Sequence, residues 1–142
     1  MVNARSGAVG LVLAGLLACG GGGESAQEGR LAAEVEIAAP ASGEAVGGGA
    51  VIVQLTVRGV EIRPAGTDEP NTGHHHLFVD RDITPPGETI PAEEGIIHLG
   101  GGQTEAEIPL EPGTHTIIAV LGDHEHVRLA EVKTDTVTVV VN

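Results

Sequence analysis

From Leu31 onward the apolar residues recur mostly at every second position, the period of a strand with one buried face. Ala50–Val60 alternates most clearly, with Val51, Val53, Leu55 and Val57 on one side and Ile52, Gln54, Thr56 and Arg58 on the other. Thr134–Asn142 repeats the pattern and turns Val137, Val139 and Val141 inward. Shorter runs predict strands at Leu31–Ile37, His74–Asp80, Gly95–Leu99, Thr104–Leu110 and Thr114–Leu121. Gly and Pro separate them, in Pro40 to Gly49, Arg63 to Gly73, Thr84-Pro85-Pro86-Gly87 and Pro112-Gly113. No window sustains an apolar period of 3.6 with caps, so no long helix is expected. Seven short strands at this spacing predict a single immunoglobulin-like antiparallel β-sandwich over residues 31–142. A small β-barrel is the alternative.

Composition supports that reading. After residue 30 there are 14 Val and 10 Ile against 7 Leu, and β-branched side chains fit strands better than helices. The 22 glycines supply turns. About 110 residues of this kind can bury one modest core. The net charge of −13 excludes nucleic acid as a partner, because phosphate backbones are gripped by Lys and Arg. With one Phe and no Trp or Tyr, platforms for stacking bases or sugars are excluded as well.

The first 30 residues differ from the rest. Residues 1–18 carry one Arg, then the apolar run Gly7–Ala18, which predicts a signal peptide; the run is shorter than the ~20 residues of a membrane span. Leu16-Leu17-Ala18-Cys19 resembles the lipobox of bacterial lipoproteins, which implies lipidation of Cys19 after cleavage before it. An ordinary small-residue cleavage site is the alternative. Residues 19–30 then form a lipidated Cys and a flexible Gly-rich tether. The expectation is an exported, lipid-anchored protein of the cell envelope whose partner is the membrane. Gly20 rather than Asp after the Cys points, in a Gram-negative cell, to the periplasmic face of the outer membrane. Cys19 is the only cysteine, so no intrachain disulfide forms and no thiolate is left for a metal.

All seven histidines (74, 75, 76, 98, 115, 124 and 126) fall within one stretch of 53 residues. In a strand, residues i and i+2 share a face, which places His74 with His76 and leaves His75 with Leu77 and Val79. His124 and His126, if extended, also share a face. Two His-x-His pairs suit Cu(II) or Zn(II). The ligand candidates are therefore His74, His76, His124 and His126, with His75 or His115 completing the set. His115 lies in register with Ile117, Ala119 and Leu121, a core-facing row, and a buried imidazole there needs a partner. Asp80, Asp82, Asp123 and Glu125 are extra ligands, or acceptors that orient the rings; Asp80 and Asp123 equally suit turn caps at strand ends. His98, beside Leu99 and Gly100, reads as structural rather than ligating.

Other motifs carry less chemistry. Gly100-Gly101-Gly102 lacks a following Lys-Ser/Thr, so it is not a phosphate loop. The serines are Ser6, Ser25 and Ser42, none placed for a Ser-His-Asp triad. No substrate pocket signature is present, and the chain is expected not to be an enzyme.

The segments GHHHLFVD (73–80), IPA (90–92), HLGGGQTEA (98–106), L-x-PGTHT (110–116) and LGDHEH (121–126) resemble, in order, a bacterial envelope family, domain of unknown function 4399. The resemblance runs from about Pro40 to Asn142. It implies a secreted or lipid-anchored small β domain and brings no activity with it. Its family-like positions are His74, His75, His76, His98, His115, Asp123, His124 and His126. Two positions depart from the family pattern: Ile96 stands where a second His is common, and Val127-Arg128-Leu129-Ala130 replaces a Pro-rich stretch.

Two readings of the histidines follow. One is a clustered site binding Cu or Zn. The other is a non-catalytic structural or interaction domain whose neutral imidazoles hydrogen-bond loops together. Both predict that crowded neutral rings lose stability below about pH 6.

Overall fold

A computed structural model describes residues 32–142; the expected signal peptide (1–18), Cys19 with the expected tether (19–30), and Leu31 lie outside the described residues. The described chain forms ten strands and no helix: β1 Ala33–Ala39, β2 Ala45–Val46, β3 Ala50–Arg58, β4 Glu61–Ile62, β5 Thr72–Val79, β6 Ile96–Leu99, β7 Glu105–Pro109, β8 Gly113–Gly122, β9 Val132–Lys133 and β10 Asp135–Val141. They build two sheets, one of four strands in the order β7-β3-β1-β9 and one of six. In the larger sheet the order is β2-β10-β8-β5-β4, and β6 also pairs with β5. The sandwich is realised rather than the barrel.

The long ladders are antiparallel, as expected. Three short pairings are parallel: β1 with β9, β10 with β2 and β4 with β5, each through two residues. So short a pairing has no period to detect, and none of β2, β4 and β9 is predicted from the sequence.

Alternation decides what faces the core. Val51, Val53 and Leu55 of β3 meet Ile117, Ala119 and Leu121 of β8 and Val137, Val139 and Val141 of β10 inside the sandwich. The opposite face of β3 is solvated, and Ile52 is 54 % exposed there.

The two outer faces are unlike. That of the six-stranded sheet carries a second, small apolar cluster of Phe78, Ile90 and Val120, flanked by Ile83, Ile96 and Ile118. Phe78, Ile96, Val120 and Ile118 come from β5, β6 and β8; Ile83 and Ile90 come from the connection between β5 and β6. That connection crosses the outer face, so β5 is covered on both sides and its residues 72–78 are all buried.

Candidate metal centre

β5 is where the histidines meet the fold. His75 lies opposite Leu99 and Leu121, both in the main core, so its ring points between the sheets. His74 and His76 take the other face, with Phe78. His76 is opposite His98 of β6 on one side and Val120 of β8 on the other, and His74 is opposite Gly122. Antiparallel partners share a face. His98 is therefore delivered to the same outer surface as His76 by register alone.

The fourth ring comes from a turn. Asp123 to Val127 closes on itself: the Asp123 N–H donates to the Val127 carbonyl at 2.9 Å and the His126 N–H to the Asp123 carbonyl at 3.0 Å. Asp123 Oδ1 accepts from the N–H groups of Glu125 and Val127, both at 2.9 Å. The turn holds His126 at φ 65°, a left-handed conformation that costs a non-glycine residue roughly 1–2 kcal/mol. It carries the His126 ring back over the sheet.

The result is a set of four imidazoles, His74, His76, His98 and His126, whose ligand nitrogens all lie within 4.8 Å of one another. Ring centroids are 4.7 Å apart for His74–His76 and 4.8 Å for His98–His126. His98 stacks on His76 at 5.0 Å. His74 and His76 form the buried floor, His126 is half-buried and His98 is exposed, so the site opens to solvent on one side. Two glycines leave the rings room. A Cβ on Gly100 would lie 2.6 Å from His98 Nε2, and one on Gly122 would lie 3.0 Å from His76 Cε1.

Electrostatics keep the floor neutral. Burial, then the neighbouring rings of His98 and His126, push the His74 pKa down to about 4, only partly opposed by the Asp123 carboxylate. Burial, then His74, His98 and His126, push His76 to about 3. His98 is lowered by desolvation and by His126. At neutral pH these rings present lone pairs, the form that binds metals.

The donors also have few other uses. His74 Nε2 and His76 Nδ1 are buried with no hydrogen-bond partner, a costly condition for a polar atom. His126 Nε2 and His98 Nε2 face each other at 3.2 Å. Two ligands of a tetrahedral zinc ion stand roughly 3.3 Å apart, given Zn–N bonds of ~2.0–2.1 Å. That pair already has the required spacing, and the widest pairs must draw in. An all-nitrogen set suits Zn(II) or Cu(II).

The remaining histidines are elsewhere. His75 Nδ1 donates to the Gln103 carbonyl at 3.0 Å, and burial lowers its pKa. His115 sits at the rim beyond Ile117, with Nδ1 2.6 Å from Asp80 Oδ2 and Nε2 2.8 Å from the Glu111 carbonyl. Both partners are acceptors, so the surroundings favour the doubly protonated ring; the hydrogen bond to Asp80, then that to Glu111, raises its pKa. Asp80 also accepts the Thr116 N–H and thereby fixes the strand end. His124 Nε2 lies 3.8 Å from Asp68 Oδ1 and lines a separate cavity of about 710 Å³. Of the ligand candidates, the structure brings together His74, His76 and His126, and adds His98. It sets His75, His115 and His124 apart, with Asp80 beside His115. Asp123 supports the turn below His126.

Only the side on which His98 leaves its strand was legible. Ile97 and Leu99 alternate with it, so it had to leave on the side opposite to them, toward His76 once β6 pairs with β5.

A family profile described as "Domain of unknown function (DUF4399)" matches residues 53–142. The chain belongs to the DUF4399 family. The matched DUF4399 region runs from within β3 through β10 and contains every residue of the four-histidine cluster. It begins within β3, somewhat after the Pro40 at which the motif resemblance starts. No curated protein matches the chain.

Proposed function

We propose that this domain binds one divalent transition-metal ion, Zn(II) or Cu(II), through His74, His76, His98 and His126. The observation that carries the reading is the pair of buried, unpartnered nitrogens, His74 Nε2 and His76 Nδ1, within the four-ring cluster. Without an ion they are a standing cost, and with one they become its ligands. In this reading the domain holds the ion and is not assigned a reaction.

The cellular setting belongs to the same proposal. The lipobox-like Leu16-Leu17-Ala18-Cys19 and the Gly-rich tether support an exported domain held at a membrane surface, where it meets metal ions of the envelope.

Calorimetric titration of tag-free protein with zinc and with copper(II) tests the reading. One saturable site is expected, lost in His74→Ala/His76→Ala and weakened at least tenfold in His98→Ala. Absence of saturable binding, or unchanged binding in both variants, would refute it. The second reading, a hydrogen-bonded network, has one observation in its favour within the cluster, the 3.2 Å contact between His98 and His126. It predicts that a chelator leaves the melting temperature of the isolated protein unchanged.

A further inference from the structure

Three of the four cluster residues sit on strands and one does not. His74 and His76 on β5 and His98 on β6 are fixed by sheet pairing. His126 belongs to the turn after β8, and what hangs on that turn is the segment 80–95. The Ile90 N–H donates to the His126 carbonyl at 2.8 Å, the Arg128 N–H to the Glu88 carbonyl at 2.9 Å, and the Gly87 N–H to the Arg128 carbonyl at 2.9 Å. Thr89 bridges Val127, and Arg128 Nη1 donates to the Thr84 carbonyl at 2.6 Å. The middle of the segment is thus laced to residues 126–128 like an added strand.

Its side chains reach the cluster as well. Ile90 is buried on Phe78 and Val120. A Cβ on Gly122 would come 3.4 Å from Ile90 Cδ1 and 3.0 Å from His76 Cε1, so Ile90 and the His76 ring share the space over that glycine. The lacing is imperfect: Arg81 Nε and Arg128 Nε are buried without partners, which lowers the stability of the closed arrangement.

We propose that a metal ion bound by the four histidines is a latch that fastens segment 80–95 across the outer face of the six-stranded sheet. This rests on the metal-binding reading above. The ion ties His126 to the rigid β5/β6 pair, and through the His126 carbonyl and residues 127–128 it holds Gly87 to Ile90 down. Without the ion, the small apolar cluster, the backbone bonds and the Arg128–Thr84 contact keep the segment in place. Loss of metal then loosens the cover over Phe78, Val120 and Ile118. Linkage is reciprocal: if metal stabilises the closed segment, the closed segment tightens metal binding by the same factor.

Hydrogen exchange on the full chain, with and without saturating zinc, is the test. The amides of Gly87, Ile90 and Arg128 should gain at least tenfold protection with zinc. The Gly43 amide, bonded to Thr138 in a turn away from the cluster, should change far less. Zinc that binds by calorimetry but leaves the three amides unchanged would overturn the latch while the metal site stands. If zinc does not bind, the same exchange comparison is made with saturating copper(II), and no saturable binding of either ion would overturn both. As a second measurement, Ile90→Ala should weaken zinc binding about five- to tenfold without touching a ligand. An unchanged affinity in that variant would also overturn the latch.

Discussion

Acidification is the sharpest perturbation of the four-ring cluster. His74 and His76 are 1 % and 2 % exposed, and their pKa values fall to about 4 and about 3. In the unfolded chain both titrate near ~6.5. Above that value they are neutral in both states and pH has no leverage. As pH drops below it, the unfolded chain takes up protons that the folded protein refuses, so stability falls until the folded pKa values are reached. At pH 5 the gap is about 1.5 pH units, which at 1.36 kcal/mol per unit costs roughly 2 kcal/mol per ring and about 4 for the two. For a domain stable by about 5–15 kcal/mol that is a large fraction. Urea unfolding in chelator-treated buffer at pH 7.5, 6.5, 5.5 and 5.0 should show the midpoint falling steadily across the series. His76→Leu, which removes one of the buried rings with a lowered pKa, should make the slope shallower while His74 and His75 keep part of it. A midpoint that stays flat from pH 7.5 to 5 would refute the view that these rings are buried and neutral.

Other substitutions separate the remaining roles. Asp80→Asn should lower the His115 titration midpoint followed by NMR, because the Asp80 carboxylate holds the second proton on that ring; stability drawn from this pair is present below pH ~6.5 and lost as pH rises through the raised pKa, the reverse of the cluster. Gly100→Ala should weaken zinc binding about tenfold, roughly 1.4 kcal/mol, with little effect on melting, since the new methyl occupies the space of the His98 ring; unchanged affinity would show that the ring binds in another position. Asp123→Ala should weaken metal binding by loosening the His126 turn, and Asp123→Asn, which keeps the acceptor oxygen, should restore most of it. His75→Ala should cost about 2–4 kcal/mol in unfolding free energy yet leave metal affinity nearly intact, because that ring faces the main core and bonds Gln103.

Much of this was legible in the chain. The alternation in Ala50–Val60 and Thr134–Asn142 located β3 and β10 and their inward valines, and the i, i+2 rule placed His74 with His76 and His75 behind them. The choice of the other two rings was not legible, for two physical reasons. His124 and His126 share a face only if their segment is extended. It is instead a tight turn, with His126 in the left-handed region, so the two rings diverge and His124 goes to Asp68. His98 depends on register between β5 and β6, a long-range pairing that local periodicity does not encode. His115 continues the row of Ile117, opposite the buried Val139, but it is only half-buried, because its ring turns to Asp80 at the rim.

β5 divides its labour residue by residue. Positions 75, 77 and 79 serve the scaffold, while 74 and 76 serve the four-ring cluster, and the two sets never share a side. Chemistry on this domain can therefore be rewritten by changing alternate letters of one short word, with the interior left as it is. A transplant of the even positions onto another two-sided central strand, with a facing glycine kept for clearance, would be the corresponding engineering experiment.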